Sequence, residues 1–437
     1  MKRAPVWRSR MRRMTAAILG CFLSACSIRL TPLEPHYRII AYVHRRADMY
    51  RISAEKLTHI NYAFGKVSED GDVIIDERNA PAHFSQLQAL KAKNPHLKVI
   101  LSIGGWGADN FSLAAFNDET RKKFAAGAIS LIRRYALDGL DLDWEYPGQP
   151  GPGIKYQAED KENFTELLKT LRQQLDVLSD ERGRTGRDRY TLSIATAGGV
   201  YFQHTEMDRL HPYVDWINIM AYDFAGEWSK ATTHHAGLFG MIPYPSAEGF
   251  VKEHLAAGIP SRKLVLGVPL YGRAWCGVTP TNNGLHQAVE AYVGGLPYSV
   301  LVRDYIDRNG FQRHWDRAAR APFLWNASSG VFITYDDPQS MREKARFVKQ
   351  HKLGGVMYWE QSEDPDEILL ATLFRELQRR SFLKIKRVAG ATLVTFFWSG
   401  QPDSNRRHRP WQGRTLPTEL CPRDARVRVR TVRGAVK

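Results

Sequence analysis

Cysteine is scarce. Four residues in 437, at positions 21, 26, 276 and 421, include no CxxC pair. That excludes a disulfide-stapled framework and a thiolate zinc site, and it leaves Cys276 as a packed thiol in the body of the chain. A glycine-rich dinucleotide loop is also missing, which weakens the case for an open nucleotide-binding sheet. The apolar run at residues 16–23 is too short to cross a bilayer as a helix. Acidic residues are absent from the first thirty positions, which carry seven Lys and Arg. Only three acids offset thirteen basic residues at 381–437. These two ends more than account for the net charge of +16, and residues 31–380 carry −1. A neutral body argues against nucleic acid as a partner.

The basic start followed by a short apolar run has the layout of a signal peptide, residues 1–25, and implies export. The run closes on Leu23-Ser24-Ala25-Cys26, which resembles a bacterial lipobox. The resemblance implies acylation of Cys26, membrane attachment through that lipid, and an outer-membrane location. Ordinary cleavage would give a secreted protein instead. Residues 381–437 are rich in Arg and Pro and lack periodicity, which predicts a disordered or non-native tail.

Between these ends, short β-branched runs alternate with helical patterns. The strand candidates lie at 38–43, 59–65, 98–106, 137–146, 190–199, 214–224, 263–272 and 354–360. Phe164, Leu167, Leu168, Leu171, Leu175 and Leu178 fall on one helical face. Eight strands, each followed by a helix, predict an α/β fold, a (β/α)8 TIM barrel over residues 36–380. The long stretch between strands seven and eight predicts a small α+β insertion at 276–334 and a helix at 338–352.

One segment resists a purely structural reading. LDGLDLDWEYP, residues 137–147, threads four acids through apolar residues. On a strand, Asp141, Asp143 and Glu145 share one face, while Leu142 and Trp144 take the other. In a barrel the acids would line the interior, with Glu145 reaching the C-terminal rim where sites of this fold sit. Carboxylates spaced by about 6–7 Å share protons rather than all ionising. Glu145 could then stay protonated near neutral pH and act as a general acid. A divalent-metal site and a structural cluster paired with Arg remain open on this strand alone. Asp138 has the other parity, which suits a structural role.

The same stretch resembles the DGxDxDxE signature of glycoside hydrolase family 18, the chitinases. Ser102-Ile103-Gly104-Gly105, Met220-Ala221-Tyr222-Asp223, Tyr271-Gly272-Arg273 and Met357-Tyr358-Trp359 are similar, in order, to its other marks. The resemblance covers about residues 36–375. It implies cleavage of β-1,4 bonds between N-acetylglucosamine units of chitin or its oligosaccharides, without metal or cofactor; the chain is expected to be a monomer. The substrate's own acetamido oxygen would attack C1 to give an oxazolinium ion, with retention. Glu145 would be the acid and base, Asp143 and Asp141 would support the charge, and Tyr222 would hold the acetamido carbonyl. Tyr42, Phe64, Trp106, Tyr146, Met220, Asp223, Arg273 and Trp359 would bind sugar. Gly104 and Gly105 would let backbone pass close to the acids.

Chitinases of this type often carry a Trp shortly after the Tyr of strand one. Here that segment reads VHRRADMY, and the reach of the minus subsites stays open. Peptidoglycan fragments or N-glycan cores are alternative substrates. A lectin that binds without cleaving is the alternative class, against which Glu145 is present.

Overall fold

The computed structural model describes residues 37–240 and 243–378. Cys26, the leader and the tail from 381 lie outside the described residues.

Along the chain, β1 (Arg38–His44), β2 (His59–Val67), a short β3 (Val73–Ile74), β4 (Lys98–Gly104) and β5 (Gly139–Asp143) are followed by β6 (Thr191–Thr196), β7 (Trp216–Ile219) and β8 (Leu264–Pro269). With β14 (Gly355–Trp359), the strands other than β3 pair in parallel in the order β1-β14-β8-β7-β6-β5-β4-β2, and β1 also pairs with β2. That last ladder closes an eight-stranded barrel, while β3 pairs antiparallel on the outside of β2.

Alternation along each strand sorts its side chains. Ile40, Tyr42, Ile100, Trp216, Val265 and Met357 fill the barrel. Ile39, Ala41, Leu101, Leu140 and Leu142 pack outward against the helices. The helix Asp160–Glu181 buries Phe164, Leu167, Leu168, Leu171, Leu175 and Leu178 on one stripe. Trp144 stacks on Phe111 at 5.3 Å and meets Phe164 edge-on. Asp138 accepts hydrogen bonds from Lys91 and Arg184 and from the Val99 N–H.

The helix expected after strand one is absent. Two 3-10 turns, Met49–Arg51 and Ala54–Lys56, stand there instead. Each turn buries one of its own residues, Met49 or Ala54, and Ile52 and Leu57 are buried just past the turn ends.

A second sheet stands between β8 and β14. It comprises β9 (Tyr271–Cys276), β10 (Ala291–Pro297), β11 (Gln312–Asp316), β12 (Ala321–Asn326) and β13 (Val331–Thr334), all antiparallel, in the order β10-β9-β13-β12-β11. This corrects the expected boundary at 276, because the sheet begins at Tyr271. The switch is hidden in the sequence, since only Leu270 separates β8 from β9 and no turn residue stands between Pro269 and Tyr271. Cys276, read as a packed thiol, is buried on β9 and is disulfide-bonded. The helix Pro338–Gln350, capped by Asp337 with Ser340 in a reciprocal box, leads back to β14. The helix Ile368–Gln378 ends the described chain.

Candidate active site

Asp141 lies at the centre of the barrel, fully buried. Its Oδ2 accepts from the Tyr42 hydroxyl at 2.6 Å and Ser102 Oγ at 2.7 Å. Its Oδ1 accepts from Ser193 Oγ at 2.6 Å and Asn218 Nδ2 at 3.1 Å. Burial raises this carboxyl, and the four donors act against that shift. Those donors occupy both oxygens, which leaves little lone-pair capacity for a cation. Among the described residues no group of three or more His, Cys, Asp or Glu is arranged to hold a metal ion.

Asp143, two residues on, is treated differently. It is buried, and its Oδ1 has no hydrogen-bond partner. Burial, Glu145 and Asp141 together push it well above the usual carboxylate range. Glu145 lies past the end of β5, where burial raises it to about 7; the Tyr146 hydroxyl opposes that shift and the Asp223 charge adds to it. Asp143 and Glu145, both raised and each acting on the same buried space, therefore titrate as a pair rather than singly.

The backbone brings this strand close to its neighbour. Gly105 N–H donates to the Asp143 carbonyl at 2.8 Å. Gly104 has φ +123°, and a Cβ there would run into that same carbonyl. At Gly105, with φ +86°, a Cβ would stand 2.5 Å from the Phe64 ring. Only glycine meets both demands.

Met220, Tyr222 and Asp223 lie just beyond β7 rather than on it. Burial and the charges of Asp143, Asp223 and Glu145 hold the Tyr222 hydroxyl well above its ordinary value, so it remains a donor. Asp223 has φ 59°, in the left-handed region that Asp tolerates. Its Oδ1 accepts from the Tyr271 hydroxyl at 2.6 Å and Arg273 Nε at 2.7 Å. Burial alone would raise Asp223, but His235, Arg273 and the Arg273 charge hold it far below the usual range. Tyr271 and Arg273 were expected at the end of strand seven and stand instead on β9, the first strand of the second sheet. Arg273 also donates to the Tyr292 hydroxyl at 2.6 Å.

Aromatic rings surround these groups. Phe64 and Trp359 stack at 5.5 Å, and Trp359 lies 5.7 Å from Tyr42. Tyr42, expected among the sugar contacts, is buried beneath, with its hydroxyl on Asp141. Met220, like Phe64, Tyr222 and Trp359, packs half-buried against the group that fills the barrel interior. Trp106 is 66% exposed and meets Tyr146 edge-on at 6.1 Å.

Several members of the site were not singled out in the sequence. Ser193 and Asn218 are polar residues inside apolar strands, a signal that was there to be read. Trp228, 63% exposed, faces the Arg273 guanidinium at 5.7 Å, and His235 lies 3.6 Å from Asp223. Neither belongs to a short motif.

Comparison with known proteins agrees with this geometry. The profile described as "Glycosyl hydrolases family 18" matches residues 38–364. The chain is 40% identical to chitinase A1 of Niallia circulans, over 78% of this chain and 58% of that one. It thus spans under two thirds of that relative's length. It is 32% identical to chitinase B of Serratia marcescens, over 71% of this chain and 74% of the other. A solved family 18 N-acetylglucosaminidase from Paenibacillus barengoltzii superposes with a TM-score of 0.72 at 38% identity, over 78% of this chain and 99% of that one.

Proposed function

The chain belongs to glycosyl hydrolases family 18, and we propose that it cleaves β-1,4 bonds between N-acetylglucosamine units of chitin or its oligosaccharides, with retention. One observation carries the reading. Asp143 Oδ1 is buried without a partner, beside a carboxylate that has four and a Glu held protonated to about pH 7. An orphaned buried acceptor is costly unless a ligand completes it. The N–H of a 2-acetamido group is the donor that would.

In this mechanism the Glu145 carboxyl donates its proton to the leaving glycosidic oxygen. The acetamido oxygen of the same sugar attacks C1 as that bond breaks, giving an oxazolinium ion. Asp143 accepts from the acetamido N–H and balances the positive charge, and Asp141 shares its burden through the protons the acids hold in common. Tyr222 donates its hydroxyl to the acetamido carbonyl and aligns it with C1. Glu145, now a carboxylate, takes a proton from water, which opens the ring with the same anomeric configuration. Trp359 would floor the reacting sugar. Trp106 and Trp228 offer exposed faces beyond it for sugar stacking. Met220, Tyr146, Asp223 and Arg273 position the chain, and Phe64 braces Trp359.

The test is product analysis on N-acetylglucosamine oligomers by proton NMR. Wild type should release β-anomers, and Glu145→Gln should lose about 10²- to 10⁴-fold in turnover while still binding the oligomer. Turnover retained by the mutant would remove Glu145 from its role. EDTA should change nothing, and loss of activity on chelation would revive a metal reading. We also propose export with acylation of Cys26. Cys26→Ala should then release the protein from membranes, and unchanged membrane association would refute it.

A further inference from the structure

His235 has no place in the mechanism above, yet the fold fixes it against that machinery. It is fully buried, with Nδ1 3.6 Å from Asp223 Oδ1. Neither ring nitrogen has a hydrogen-bond partner. Its backbone is held on both sides. The Phe224 N–H, next to Asp223, donates to the His235 carbonyl at 3.0 Å, and the His235 N–H donates to Thr334 Oγ1 at 3.3 Å. Thr334 in turn is the register partner of Arg273 on β9. The ring lies 5.3 Å from Tyr271. His235 is thus locked to the same strand pair that supplies the other two groups on Asp223.

Tyr271, Arg273 and His235 all face Oδ1, and no described residue donates to Oδ2. Two donors already use the lone pairs of Oδ1. At 3.6 Å the imidazole acts as an oriented dipole and not as a third regular hydrogen bond. In buried surroundings such a dipole is poorly screened. Contacts of this length often shorten once substrate is bound. We infer that His235 is a positioning residue. It holds Asp223 through Oδ1, so that Oδ2 stays turned to the sugar at the bond being cleaved. The groups that act on the imidazole are Asp223, Arg273 and Asp336, whose carboxylate is ion-paired with the buried Lys344. Burial lowers its basicity and the two carboxylates oppose that.

This inference rests on the proposed sugar-cleaving reading, and a double-mutant cycle separates the two. Rates on the N-acetylglucosamine tetramer would be measured for wild type, His235→Leu, His235→Asn, Asp223→Asn and the two doubles. His235→Leu should lower kcat/KM by about 10- to 100-fold. His235→Asn, whose amide N–H can stand where Nδ1 stands, should recover most of it at an unchanged melting temperature. In the Asp223→Asn background, His235→Leu should cost less than about threefold, since its effect runs through Asp223. If the Leu variant fails to fold, His235→Gln takes its place, with the N–H displaced by one bond. Losses that multiply in the Asp223→Asn background would overturn the role. So would an Asn variant that melts normally yet is as slow as Leu. Wild type that cleaves no oligomer would overturn the sugar-cleaving reading itself.

Discussion

Asp141 and Asp143 share a strand face, and their surroundings set them to different tasks. Four donors satisfy the first, while the second keeps a buried oxygen unmatched. Parity along LDGLDLDWEYP suffices to put both of them, with Glu145, on the inner face. Parity does not say which neighbours answer them, because Ser193 and Asn218 come from strands fifty and more residues away. A measurable consequence follows for Glu145. Its carboxyl keeps a proton up to about pH 7 in the fold, whereas an unfolded Glu releases it near about 4.3. The native state therefore binds more protons in that window, and stability falls as pH rises through it. Glu145→Gln should melt close to wild type at pH 4 and at least about 2 °C higher at pH 8. An equal difference at both pH values in calorimetry would contradict this. For catalysis the same proton is needed, so kcat/KM should decline as pH rises above about 7.

Between elements, the tightest constraint is where β4 passes β5. Gly104→Ala combines a left-handed φ with a clash against the Asp143 carbonyl. It should destabilise by about 2–4 kcal/mol in urea unfolding and lower turnover through displacement of Asp143. A variant of native stability and activity would show that the strands can separate. The run from Leu264 to Cys276 teaches the opposite lesson about legibility. Its apolar pattern announces strand and nothing more, yet β8 pairs in parallel within the barrel while β9 starts an antiparallel wall. Composition shifts from aliphatic to aromatic across Leu270, with Arg273 beyond it, but both sides read as strand. Only the partners decide the change, and with it the direction from which Tyr271 and Arg273 reach Asp223.

For the whole molecule, stability rests in part on the last described helix. The helix Ile368–Gln378 buries Leu369, Leu370, Leu373 and Leu377. At about 2 kcal/mol for each Leu, their loss would remove most of an ordinary domain's stability. A chain ending after residue 380 should fold and cleave, while one ending after 366 should not fold. Circular dichroism and oligomer cleavage on both truncations read this directly, and a folded product ending at 366 would refute it.

Eight strand runs, one acidic face and a break before the last strand were legible because each is a local pattern, repeated at the period that its element imposes. The first βα unit misled, since its strand is followed by 3-10 turns. What the sequence by itself determined is therefore the barrel's elements and the three carboxyls that face inward. Tertiary structure alone decided which carboxyl is satisfied, where the second sheet begins and that a buried histidine stands behind Asp223. Those outcomes depend on contacts between residues far apart in the chain, and hydrophobic periodicity carries no information about them.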